Sequence, residues 1–184
     1  MLGPILKKEA CAECRFCCAF RRQSLWETPI FTGENLEAIR SNPKLSAEVL
    51  ISVNTDAVAD LKGGQRSESE EYFRYDLSGQ YKTDDSEEEA PCPYLSEKGC
   101  ILSSEEKPWD CKIWPLRVMK KDGETVIALT PTCPEINKLE IQKVKSFVEE
   151  ELKEALFSYA EAHPYLMKEY HEGFPVLAVK LKQD

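Results

Sequence analysis

Four cysteines fall within eight residues near the start of the chain, Cys11-Ala12-Glu13-Cys14-Arg15-Phe16-Cys17-Cys18. Sulfur that dense can serve as a disulfide staple, a redox pair, a buried apolar cluster or a metal claw. Each use asks something different of the surrounding sequence. The first ten residues place charges too early for the hydrophobic stretch of a signal peptide, and no later run reaches the length of a membrane span. The expected compartment is the cytoplasm, where thiols stay reduced, so the eight cysteines read as metal ligands or redox groups before disulfides.

The other four cysteines lie in Pro91-Cys92-Pro93-Tyr94, Gly99-Cys100-Ile101, Pro108-Trp109-Asp110-Cys111-Lys112 and Thr132-Cys133-Pro134. Backbone rich in proline and glycine turns sharply and leaves amide N–H groups free to hydrogen-bond thiolate sulfur, as a soft-metal site requires. A cysteine used only as a small hydrophobe belongs inside a periodic helix or strand, so all eight are expected in turns. Neighbouring residues of an extended chain point to opposite sides. Cys17 and Cys18 are therefore expected either to serve two centres or to leave one thiol spare. Lys7, Lys8, Arg15, Arg21, Arg22 and Lys112 lie near in sequence and read as counter-charges for the thiolates.

Spacing alone leaves the metal open. Cys11-x-x-Cys14-x-x-Cys17 with a remote Cys-Pro, at Cys92-Pro93 or Cys133-Pro134, looks like the ligand set of a [4Fe-4S] cluster in ferredoxins. Tetrahedral zinc also accepts Cys-x-x-Cys knuckles, and eight thiolates suffice for two sites of four. The candidate metal ligands are thus Cys11, Cys14, Cys17, Cys18, Cys92, Cys100, Cys111 and Cys133, with zinc or an iron-sulfur cluster as cofactor. A radical S-adenosylmethionine enzyme fits less well, because its cluster loop is spaced three then two residues and its barrel needs a longer chain.

Taken together, these pieces resemble a family of small bacterial and archaeal cysteine-cluster proteins described as zinc- or iron-chelating domains, sometimes labelled Fe-S oxidoreductases. The resemblance covers Cys11 to Cys133. It rests on Cys-x-x-Cys-x-x-Cys-Cys, on Cys92-Pro93-Tyr94-Leu95 with Gly99-Cys100-Ile101, on Lys107-Pro108-x-x-Cys111-Lys112-x-Trp114-Pro115, and on the last cysteine. Lys107 and Lys112 stand where arginine is common, and Trp114 where tyrosine or phenylalanine precedes the proline. The resemblance implies a metal-binding protein, with an Fe-S electron-transfer protein or oxidoreductase as the alternative. Flagellin lysine methylases share a similar cysteine block within a longer chain, which makes methyl transfer the more distant alternative.

The 184 residues, 42% of them hydrophobic, suit one domain with its own core. Lys and Arg number 24 against 33 Asp and Glu, a formal charge of −9, and no basic face is visible, so no nucleic-acid partner is expected. A protein partner is left open and no membrane partner is expected. The expected fold is α+β: a cysteine-rich, metal-organised half with two small hairpins and a long C-terminal amphipathic helix. A short helix is capped at Thr32, carries Leu36 and Ile39 on one face and ends at Asn42-Pro43. The segment Leu45 to Ala59 is ambiguous. Tyr72 to Leu77 and Gln80 to Thr83 read as a hairpin about Ser78-Gly79, within a solvated acidic stretch from Glu68 to Glu89. Leu116 to Met119 and Glu124 to Leu129 read as a second hairpin about Asp122-Gly123. Apolar residues recurring at three and four from Pro134 to about Ala162 (Ile141, Val144, Val148, Leu152, Ala155, Tyr159) predict the long helix, and Pro175 to Leu181 a closing strand. His163 and His171 read as helix-end and turn residues, and Trp26, Trp109 and Trp114 as core or site wall. No phosphate loop, nucleophile elbow or carboxylate pair supports catalysis.

Overall fold

The computed structural model describes residues 2–53 and 71–181, and backbone contacts divide the chain into two units. Both mix helix and sheet, so the chain is α+β.

The first unit holds described residues 7–53 and 71–112. Its elements are α1 (Lys8–Cys14), β1 (Ala19–Arg21), β2 (Phe31–Thr32), α2 (Gly33–Ser41), β3 (Leu50–Ser52), β4 (Tyr72–Tyr75), β5 (Glu89–Pro91), β6 (Leu95–Ser96), β7 (Gly99–Cys100) and α3 (Trp109–Ile113), whose last residue passes into the second unit. Thr32 caps α2 as its sequence predicts. Its hydroxyl accepts the Asn35 N–H at 3.4 Å while the Asn35 side chain accepts the Thr32 N–H at 3.1 Å, a reciprocal capping box. The buried face of α2 is Leu36 and Ile39.

Strand β4 pairs antiparallel with both β2 and β3. The hairpin expected across Ser78-Gly79 does not form, because Gln80 to Thr83 take up no strand pairing. The Glu88 carboxylate competes for that backbone, accepting the N–H groups of Lys82 and Thr83 and the Thr83 hydroxyl. Asp76 closes the turn by accepting the Ser78 N–H at 3.1 Å. In the ambiguous segment, Leu50–Ser52 is strand, while residues 54–59 lie outside those described. Phe20, Phe31, Leu36, Ile39, Phe73, Tyr75 and Tyr94 fill the core, with Cys92 packed at its edge.

The second unit adds β8 (Leu116–Lys121), β9 (Glu124–Leu129), α4 (Ile141–Phe147), α5 (Lys153–Ala162), β10 (Lys168–Glu169) and β11 (Val176–Val179). β8 and β9 form the expected hairpin, in register from Leu116↔Leu129 to Lys121↔Glu124. Its turn places Asp122 at φ 51° and Gly123 at φ 82°, the two positive values that a two-residue Asp-Gly turn is chosen for. β11 closes the sheet antiparallel to β9, and β10 adds to β8 in parallel.

One long helix from Pro134 is not what forms. Ile136–Lys138 is a 3₁₀ turn, and the run from Ile141 is broken at Val148–Leu152 by a π turn. The buried positions explain the break. Val144, Val148, Leu152, Leu156 and Ala160 step by four, which drifts round a helix of 3.6 residues per turn, and one wider π turn absorbs the drift. Ala155 and Ile141, expected on the buried face, are exposed.

Candidate metal site

The eight cysteines are not all in turns. Cys11 and Cys14 share α1, three residues apart and so on one side of it, while Cys17 and Cys18 sit in a 3₁₀ turn, Phe16–Cys18. Cys100 ends β7 and Cys111 lies in α3, leaving Cys92 and Cys133 in irregular backbone. None is in a disulfide. Seven belong to the first unit and Cys133, 5% exposed, to the second. Both histidines also belong to the second unit, where His163 lies against the Tyr159 ring and His171 against Phe174.

Helix α1 ends because Arg15 adopts a left-handed φ of 54°, its N–H capping the Cys11 carbonyl. The guanidinium then ties α1 to the β6–β7 turn. Its Nε donates to the Ala12 carbonyl at 2.9 Å and its Nη2 to the Glu97 carbonyl. Gly99, at φ 95°, lets the same two elements close, since a Cβ there would stand 3.1 Å from the Ala12 methyl. Cys11, Cys14 and Cys100 are thus carried on elements fastened to each other.

A second fastening joins the octet to Cys92. After Cys18 the chain enters β1, which pairs with β5 as Ala19↔Pro91. One residue beyond that ladder the Cys92 N–H donates to the Cys18 carbonyl at 2.8 Å. The Cys92 sulfur lies 3.3 Å from the Tyr75 hydroxyl and also accepts the Tyr94 N–H. That amide contact is the kind expected of proline-rich cysteine turns. Cys100 pairs across the small hairpin with Leu95, three residues from Cys92.

The thiols feel one another. Cys18 is lowered to about 7, chiefly by the hydrogen bond from Cys17, against desolvation and with help from Lys107 and Arg15. Cys17 is raised correspondingly by that bond and by the charges of Cys18, Cys111 and Cys11. Burial pushes Cys92 up to about 11, with Cys18 and Cys100 adding to it. Cys111 is raised by desolvation and by Cys92, Asp110, Cys18 and Cys100; because the residue keeps contact with solvent, the neighbouring negative charges are the firmer cause. Six sulfurs, those of Cys11, Cys17, Cys18, Cys92, Cys100 and Cys111, therefore share one electrostatic neighbourhood. They are not closed into a coordination shell: among the described residues no group of three or more His, Cys, Asp or Glu is arranged to hold an ion.

Two of the expected counter-charges work elsewhere. Arg21 pairs with Glu89, and Arg22 with Glu88 at 3.2 Å, so both serve the acidic loop. Arg22 also lies over the Tyr81 ring at 4.4 Å. Arg15 and Lys107 are the cations that act on Cys18. Tyr75 was not legible as a site residue in the sequence. The proline beside Cys92 hinted at an amide donor, but nothing in Tyr72-Phe73-Arg74-Tyr75 says which ring reaches a sulfur.

The chain matches no family model, no curated protein and no solved structure. No helix among the described residues is long and apolar enough to cross a membrane.

Proposed function

We propose that the protein binds a soft metal through its cysteines, as zinc or as a [4Fe-4S] cluster. The observation that carries this reading is the fastening of three separate cysteine segments in the first unit: the octet, Cys92 and Cys100. Four sulfurs on those segments and on α3, Cys18, Cys92, Cys100 and Cys111, bear mutually unfavourable charge when ionised. A cation among them offsets that repulsion, and thiolate is the ligand that zinc and iron-sulfur clusters take. The donor chemistry fits either group. The open arrangement of the sulfurs means that loading draws the side chains together, which couples metal binding to folding.

The seven thiols of the first unit carry the proposal, and Cys133 enters it on its place in the sequence motif alone. On this reading the metal chiefly holds the fold. An Fe-S electron-transfer protein or oxidoreductase is the same site with a redox-active cluster in it, and a reversible redox titration distinguishes the two.

Cys14 is central in Cys11-x-x-Cys14-x-x-Cys17 and is expected to be a ligand for either metal. Cys14→Ala should lose metal and much of the fold, since binding free energy of a structural zinc, on the order of 10 kcal/mol, is also folding free energy. Cys18→Ala should be milder if there is one centre and equally severe if there are two. Metal content and thermal unfolding of both variants decide, and a Cys14→Ala protein with full metal and unchanged melting contradicts the proposal.

A further inference from the structure

Tyr75 is a polar side chain where the core would accept phenylalanine. It is 3% exposed. Its ring is fixed on three sides, by Phe31 edge-on at 5.1 Å, Phe20 at 5.4 Å and Tyr94 at 5.9 Å. Pairing with β3, where Leu50 stands opposite, holds its backbone. A buried hydroxyl without a hydrogen bond is costly, and so a phenol is kept in a core where it meets a partner. The partner is the Cys92 thiol, which donates to the Tyr75 oxygen at 3.3 Å; once that thiol is ionised the bond runs the other way, from the Tyr75 hydroxyl to the sulfur.

We propose that Tyr75 is a positioning residue of the metal site, its hydroxyl holding the Cys92 sulfur by a hydrogen bond and tempering the electron donation of that sulfur to a bound soft metal. The inference rests on the reading of Cys92 as a ligand. Cys92 has its backbone N–H on the Cys18 carbonyl and its sulfur between the Tyr94 amide and the Tyr75 hydroxyl. A ligand sulfur gripped by two donors has one rotamer and a less basic lone pair, as the outer contacts of metal ligands commonly achieve. Tyr75 cannot be a ligand substitute in this role: it acts through Cys92. The ring cluster supplies the rigidity, since any swing of the phenol displaces Phe20 or Phe31.

The test is Tyr75→Phe in the full chain, which keeps the ring and removes the oxygen. Cobalt(II) is the probe, because its sulfur-to-metal charge-transfer absorption reports on the thiolate directly. The expected result is that Tyr75→Phe binds cobalt in the wild-type amount with that absorption moved to lower energy, and that the shift disappears when the same change is made in Cys92→Ala. In the metal-free, reduced protein, iodoacetamide should alkylate Cys92 several-fold more slowly in Tyr75→Phe than in wild type, with Cys14 unaffected, since the thiolate has lost a donor. An unshifted spectrum together with an unchanged Cys92 alkylation rate overturns the inference. Wild-type protein that takes up no cobalt overturns the ligand reading instead, and the alkylation rate still decides whether Tyr75 holds Cys92.

Discussion

At the scale of single residues, the first unit uses its charges in two separate places. Arg15 and Lys107 act on Cys18, while Arg22 and the amides of Lys82 and Thr83 converge on Glu88. Those backbone and side-chain donors hold the Glu88 carboxyl down to about 2 from its ordinary 4.5. A carboxyl whose folded value is depressed contributes stability that is fully present above the ordinary value and is lost as pH falls toward the folded one. Glu88→Gln should therefore lower the melting temperature at pH 7, and the gap from wild type should close as pH approaches 2. Melting curves across that range check it; a gap that stays constant with pH means that Glu88 acts through its shape and not its charge. The cysteines were picked out as candidate ligands by their spacing. Their hydrogen-bond partners were not, because Tyr75 and Cys92 are seventeen residues apart, and alternation along a strand says which side a ring faces but not what it meets there.

At the scale of elements, the features read correctly were those whose chemistry is local. The Thr32 cap and the Asp122-Gly123 turn each carry their own signal within four residues. The misread hairpin depended on partners far away: β4 takes two- and three-residue strands for neighbours, too short to be seen as strands alone, and Glu88 occupies the backbone expected to pair. The C-terminal helix failed differently, its four-residue step being legible as helical but not as needing a π turn. Two glycines offer a matched pair of tests. Gly123→Ala places a side chain at φ 82° in open space and should cost about 1–2 kcal/mol by backbone strain alone. Gly99→Ala adds to the same strain a 3.1 Å approach to Ala12. It should be the more destabilising and should also reduce metal uptake, since it wedges α1 from β7. Denaturant unfolding and metal content of the two variants measure this; equal effects of the two would show that the α1–β7 closure is unimportant.

At the scale of the whole molecule, the cysteine motif runs from Cys11 to Cys133 and so spans both units, with seven thiols in one and the eighth in the other. Cys133→Ala therefore separates two forms of the proposal, retaining all metal if the first unit suffices and losing a defined fraction if the eighth thiol is a ligand. The central claim, that the thiols of the first unit bind a soft metal, is tested most directly by elemental analysis with visible absorption of freshly purified protein kept free of oxygen. The account predicts metal in defined stoichiometry: iron with labile sulfide in a brown protein, or zinc in a colourless one. Protein that is folded, stable and free of metal would contradict it.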